Sequence, residues 1–436
     1  MNSSCFVIEE SQKLYRMKPT PGEKPSLNTT HTLTGRNSIM KKSLIALAVL
    51  GAAASAQAAD ISLYGVVDTG LAYTYEDNWG FNDQGLIAHT TDGESSLEMA
   101  SGINASSRFG IVGSEDLGNG MKVAFKLESG INTDDGSLGQ GGRLFGREAS
   151  LTLSGDFGKI SAGRMGGVGS SAGTYDYVYA IGEAFDGGDF NIWGMTASSR
   201  YDNMITYETP EFAGVKVTAQ YSFDGDTGAD NDDYKDKAQH GTEGKSTVDR
   251  YASLAVTGAV GNLQFVGAYE NFNHASTSVV KDDGHLFHLG GNYDFGVTKV
   301  FALAQYYQGI RNAAGWDMTD DIIAGEISAD ETTDGFKGYG LHIGSITPIG
   351  GGDLTLAAYF QDGKLENVGE PQDQVDLDAQ YVGVSARYAY HLSKRTDAYL
   401  GAGYAKATLD TGANNWEDHD MEKELIQAYV GLTHRF

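Results

Sequence analysis

Cysteine occurs once in the 436 residues, at Cys5, so the chain has neither a disulfide framework nor a thiolate metal site. Proline is scarce too, with 6 residues against 59 Gly, 24 Tyr and 18 Phe. That composition excludes a proline-rich disordered chain and describes strands and turns. Beyond residue 58 no apolar run approaches the roughly 18 residues of a transmembrane helix. Positive charge is short: 31 Lys+Arg stand against 58 Asp+Glu, a net charge of −27. So acidic a chain has no long-range attraction for nucleic acid, and none is expected as a partner.

What is present begins with a leader. MKKSLIALAVLGAAASAQA, Met40 to Ala58, joins two lysines to an apolar core and ends in small residues at Ala56 and Ala58, the pattern of a secretory signal peptide. Residues 1–39 are polar and show no strand pattern, so they are read as an upstream extension from a start assigned too early, with Met40 the initiator. Residues 1–58 hold seven Lys+Arg and three Asp+Glu, so residues 59–436 carry −31, and Cys5 leaves with the leader. An exported, strand-rich chain without membrane helices is either free beyond the inner membrane or a barrel in the outer one.

Sixteen candidate strands follow from alternation and turn residues, the first two over 61–75 and 104–114. Seven short turns, such as SEDLGNG (114–120) and TPEFAG (209–214), interleave with eight longer, mostly acidic or Gly-rich loops. Both termini therefore lie on the short-turn side, which is the plan of an even-stranded outer-membrane barrel. Alternation by itself also suits a soluble sandwich. The ending KELIQAYVGLTHRF favours the barrel, because soluble chains seldom finish on a strand closing in an exposed aromatic, here Phe436.

Several stretches carry a resemblance: ISLYGVVDTG (61–70), SSRFGIVGSEDLGNGMKVAFKLESG (106–130), LFGREASLTLSGDFGKISAGR (144–164), RYDNMITYETPEFAGVKV (200–217) and the terminal VGLTHRF. In that order they resemble the trimeric general porins of Gram-negative outer membranes. The resemblance implies, for residues 59–436, an all-β fold: a 16-stranded antiparallel transmembrane β-barrel with the third extracellular loop folded into the lumen. It implies a water-filled channel for passive diffusion of ions and small hydrophilic solutes, with no enzymatic activity and no cofactor. The implied partners are two further copies of the chain, outer-membrane lipid and lipopolysaccharide, and the barrel-insertion machinery, which reads Phe436.

The same resemblance implies a constriction. Its basic wall comprises Arg108, Arg147 and Arg200, with Arg164 at the base of the loop; the third loop, residues 166–199, supplies Asp176, Glu183, Asp186 and Asp189. EAFDGGD replaces the family's Pro-Glu-Phe-Gly-Gly at the loop tip, so Glu183 and Asp186 both stand as candidates for the constriction acid. Strict alternation puts Arg147 in phase with Ala149, Leu151 and Leu153, towards lipid, unless a bulge intervenes or the residue lies above the membrane band.

In the hairpin 106–130, lysine facing lipid near the midplane costs about 2–4 kcal/mol. Phe109, Ile111, Val123, Phe125 and Leu127 are therefore expected outside, and Arg108, Lys122, Lys126 and Glu128, with Asp68 from the first strand, towards the lumen. An ion about 5 Å from one wall charge in water feels roughly 0.8 kcal/mol, enough to bias passage and too little to exclude either sign. The total charge leans towards cations, although the constriction decides selectivity.

Other chemistry is weaker. GSSAG, Gly169 to Gly173, fits GxSxG around Ser171 but sits in a Gly- and Ser-rich loop instead of a strand-to-helix turn. GKS at 244–246 lacks the upstream P-loop glycine, Gln239 standing there, and the histidines show no metal-ligand spacing. The Asp residues from Asp224 to Asp233 read as hydrated loop charges, with divalent cations beside lipopolysaccharide the alternative. Competing functions are a substrate-selective channel, for which Tyr175, Tyr177 and Tyr179 offer an aromatic track, and an outer-membrane enzyme or adhesin barrel.

Overall fold

Apolar side chains at every second position need an apolar medium on one side of the sheet, and closing the sheet on itself removes its free edges. The computed structural model of the chain does both. It describes residues 60–81, 87–171, 173–225, 242–276, 278–317, 332–369, 374–410 and 421–436. The leader and upstream extension, and the acidic run beyond Asp224 as far as residue 241, lie outside the described residues.

The strands run in order from β1 (Asp60–Phe81), β2 (Ile87–Ser101), β3 (Arg108–Gly118) and β4 (Met121–Gly130) to β5 (Glu148–Gly155), β6 (Gly158–Gly166), β7 (Arg200–Glu208) and β8 (Val215–Asp224). They continue through β9 (Arg250–Val260), β10 (Leu263–Asn273), β11 (Gly284–Asp294) and β12 (Lys299–Ile310). A small hairpin of β13 (Asn312–Ala313) and β14 (Trp316–Asp317) precedes β15 (Gly335–Ile349), β16 (Gly352–Val368), β17 (Val375–Ser393), β18 (Thr396–Asp410) and β19 (Met421–Arg435). Neighbours pair antiparallel, and β19 returns to pair with β1, from Val66 opposite Arg435 to Trp79 opposite Glu422. The sheet is closed.

β2 and β3 are two pieces of one stave: β1 pairs with β2 over Thr69–Phe81 and with β3 over Asp60–Val66. With the β13–β14 hairpin outside the sheet, sixteen staves close the barrel. The sequence placed the second strand at 104–114 and missed its other half, because IAHTTDGESSLEMAS carries little apolar alternation.

The break at 102–107 is stitched around Asp68. Its carboxylate accepts hydrogen bonds from the Tyr399 hydroxyl at 2.8 Å, the Asn104 amide at 3.3 Å and the Thr433 hydroxyl. Its carbonyl accepts the Gly102 amide at 3.0 Å and the Ser107 hydroxyl at 2.9 Å. Asp68, expected towards the lumen, is fully buried and acts as a structural tie.

Outward residues are apolar and exposed, among them Leu63, Leu151, Leu289, Ile343, Val384 and Val430. Phe109, Ile111, Phe125 and Leu127 share that face by register with Leu63 and Leu151. The inner face is polar on most staves, with Thr218, Gln220 and Ser222 on β8. On β10 to β12 apolar residues join it: Val266, Ala268, Leu286, Phe301 and Leu303 point inward and are buried. Apolar residues on both faces of a stave require a second covering layer. The loop between β6 and β7 supplies it.

At the seam, Gly65 and Phe436 exchange amide-to-carbonyl hydrogen bonds of 3.1 Å. A side chain at Gly65 would fall on the Phe436 ring.

Candidate pore constriction

The loop between β6 and β7 crosses to the far wall and is fastened there along its length. A short helix, α1 (Val178–Gly182), buries Val178 and Tyr179 against the inward apolar residues of β10 to β12. Buried Glu270 of β10 accepts from the Gly169 amide at 3.3 Å and pairs with His288 at 2.7 Å. The Thr196 amide donates to Gln305 at 3.1 Å, and the Asn191 amide to Gln427 at 3.2 Å. Arg387 donates to the Gly188 carbonyl at 3.2 Å and lies 4.5 Å over the Phe185 ring. These wall partners were invisible in sequence, because polar inward residues occur on nearly every stave.

The four loop acids divide into two pairs. Glu183 turns to the far wall: it accepts the Phe185 amide at 2.9 Å, the Gly187 amide at 2.7 Å and the Tyr359 hydroxyl at 2.9 Å. Asp189 sits beside it, accepting from Ser385 and, at 3.3 Å, from the same Tyr359 hydroxyl. Burial pushes Asp189 up from 3.8 to about 7, against the lowering effect of the Ser385 bond. Glu183 is likewise raised by burial, its amide and hydroxyl donors opposing the shift.

Asp186 is exposed, with φ at 54°, and lies within the electrostatic reach of Arg108. It lies beside the carboxyl of Asp176, which burial and the charge of Asp186 push up. Of the two candidates at the tip, Asp186 faces the open side and Glu183 the wall.

Opposite stand the basic residues of β3 to β7. Lys126 pairs with Glu148 at 2.9 Å and stands 3.7 Å from Glu128; Arg108 is 3.9 Å from Glu128. Arg147 donates its Nε–H to Glu128 at 2.7 Å, and the Tyr64 hydroxyl donates to it at 2.6 Å. The cations stand on the water side: the Arg108 and Lys126 side chains are 29% and 23% exposed, those of Glu128 and Glu148 4% and 2%. Lys122 lies exposed near the short-turn end of the same stave.

Arg147 precedes β5, which begins at Glu148, so strand alternation does not govern it and its buried guanidinium reaches the inner side. Arg164 also escapes alternation, through a register shift between Gly163 and Met165, and donates to Asp202 at 2.8 Å. Arg200 lies within electrostatic reach of Arg147, Arg164 and Arg108. Arg143, which the sequence reading passed over, donates to both oxygens of Asp202 at 3.0 and 2.7 Å. Its position four residues before Arg147 was the available signal.

The hydroxyls of the three tyrosines are each tied down, Tyr175 to Ser161 at 2.6 Å, Tyr177 to Glu208, and Tyr179 to the Thr196 carbonyl at 2.6 Å, and Tyr175 and Tyr179 are buried. Ser171 is exposed in an irregular stretch, outside the strand-to-helix turn that a nucleophile of its motif needs.

Known proteins share this architecture. The sequence model of Gram-negative porins matches residues 46–411. An outer membrane porin protein of Bordetella pertussis is 33% identical over 418 residues, covering 91% of this chain and 100% of its own. Outer membrane porin protein 32 of Delftia acidovorans is 31% identical over 376 residues, covering 84% and 90%. The solved anion-selective porin from Comamonas acidovorans has the same fold, with a TM-score of 0.54 at 23% identity over 87% of this chain and 100% of that one. A closed sixteen-stave barrel with an apolar exterior and a charged inner wall, matched over most of its length, belongs to the Gram-negative porins and is a diffusion pore of the outer membrane.

Proposed function

We propose that solutes pass between Asp186, with Asp176 behind it, and the basic wall of Arg108, Lys126, Arg143 and Arg200, and that this rung favours small anions weakly. Arg147 and Arg164 act from behind, holding the carboxylates on which the wall is built. The observation that carries the reading is the layering: cations reach water while Glu128 and Glu148 lie buried beneath them. The acidic total of the chain, which leaned towards cations, is spread far from the rung and screened beyond about 8–10 Å. Arginine suits the wall because it stays ionised.

The path is passive, and the protein performs no catalysis. The exposed apolar belt takes outer-membrane lipid, with lipopolysaccharide at the long-loop end, and the chain assembles as a homotrimer. Phe436, packed at the seam, closes the strand offered to the insertion machinery. Planar-bilayer recording in a potassium chloride gradient tests the reading: a reversal potential of anionic sign and insertion in triplet steps are expected. A cation-selective reversal potential in the parent protein would refute the charge assignment.

A further inference from the structure

Two separate segments meet the inner wall at one rung. The β13–β14 hairpin, in the connection from β12 to β15, is not part of the barrel sheet. Ala313, Ala314 and Trp316 are buried, in the same apolar cluster as Ile192 and Met195 of the loop between β6 and β7. The hairpin has therefore folded inward over that loop.

Beneath them stand Gln361 of β16 and Tyr381 of β17, opposite each other in register and both buried. The Gln361 carboxamide accepts the Ala314 amide at 3.1 Å and the Thr196 hydroxyl at 3.2 Å, and donates to the Gly194 carbonyl at 2.9 Å. Tyr381 donates to the Ile192 carbonyl at 2.6 Å. Its ring lies where a side chain at Gly194 would collide, and within 2.9 Å of the place a Cβ on Gly315 would take. Each wall residue thus touches both segments. One carboxamide with both acceptor directions used, and a donor spent on main chain, is a specific local tie. Without it, covered amide and carbonyl groups lose their partners.

We infer that the hairpin is a second constriction, stacked on the loop between β6 and β7 at its long-loop side and latched to it by Gln361. Packed layers of extended chain stand about 10 Å apart, so a hairpin laid on the inner wall takes a comparable width from the lumen. Size is filtered at the hairpin and charge at the rung of Asp186 and Arg108. Neither depends on the other, and the selectivity test above can fail while this one holds.

The test uses the full-length porin in planar bilayers and in liposome-swelling assays with sugars of increasing size. Asn312 is exposed on the hairpin, so N312C should fold as the parent does. A bulky thiol-specific reagent should then lower its single-channel conductance by a third or more, with the unsubstituted protein as control. Q361L and W316A should raise the swelling rate for a trisaccharide relative to a monosaccharide at least twofold. Unchanged conductance on labelling N312C overturns the constriction, whether or not Q361L and W316A fold. A block at N312C with the parent's sugar profile in folded Q361L overturns the latch.

Discussion

Arg147 stands one residue outside β5, yet its Nε–H meets Glu128 of the neighbouring stave at 2.7 Å, with both side chains buried. The pair is the keystone of the basic wall, since Glu128 also takes the Tyr64 hydroxyl and lies near Arg108 and Lys126. Removing one partner of a buried pair costs about 3–5 kcal/mol. Arg147→Leu should therefore lower the temperature at which the folded barrel loses its compact electrophoretic form. A variant as heat-resistant as the parent would show that the neighbouring cations suffice.

Charge at the rung should move selectivity in both directions. Arg108→Gln and Arg200→Gln are expected to shift the reversal potential towards cations, Glu128→Gln towards anions. Each step is bounded at roughly fourfold in the permeability of either ion, and so at about fifteenfold in their ratio, by the ~0.8 kcal/mol of one charge at about 5 Å in water. Reversal potentials at fixed salt gradient read this directly, and a shift of the same sign in all three would contradict the layering.

The two acids at the loop tip should behave differently. Asp186→Asn should raise anion preference with little change in open-channel noise, because Asp186 faces the lumen. Glu183→Gln should leave the reversal potential alone and increase the noise, because it weakens the acceptor of the Phe185 and Gly187 amides. Single-channel records of the two variants separate the roles, and the reverse pattern would exchange them.

Asp189 makes stability depend on pH. Burial raises it from 3.8 to about 7, so the folded barrel holds a proton that the unfolded chain releases. That contribution is complete below about pH 3.8 and is lost as pH rises through about 7. The parent should unfold at a higher temperature at pH 5.5 than at pH 8, and Asp189→Asn should lose most of that difference. A parent melting curve flat between the two pH values would argue against a protonated Asp189.

The seam is sensitive to bulk. Because a side chain at Gly65 falls on the Phe436 ring, Gly65→Val should reduce the yield of folded barrel in outer-membrane fractions, and deletion of Phe436 should reduce it further. Heat-modifiable mobility of the extracted protein measures both, and parent-like yields would remove the seam from assembly.

Much of this was legible along the chain. Leu354, Leu356, Ala358 and Phe360 alternate with Thr355, Ala357 and Tyr359, and the lipid-facing and inward sets on β16 follow that division. The same rule failed at Arg147 and Arg164, where a strand start and a register shift break the period of two. It failed on β2, whose residues pair with β1 but do not alternate clearly. β12 held an unread signal: VFALA is apolar at both parities, which a stave facing lipid on one side and water on the other cannot sustain. It marked the seat of the inward loop.

Sequence by itself determined the closed barrel plan and the sides of most strands, because the choice between lipid and water is imposed residue by residue and repeats with the pleat. Only the tertiary structure decided which acids are buried, which basic residues pair with them and where the inward segments rest. Those outcomes depend on contacts between residues far apart in the chain, such as Asp189 with Ser385 and Gln361 with Gly194. No local period records them.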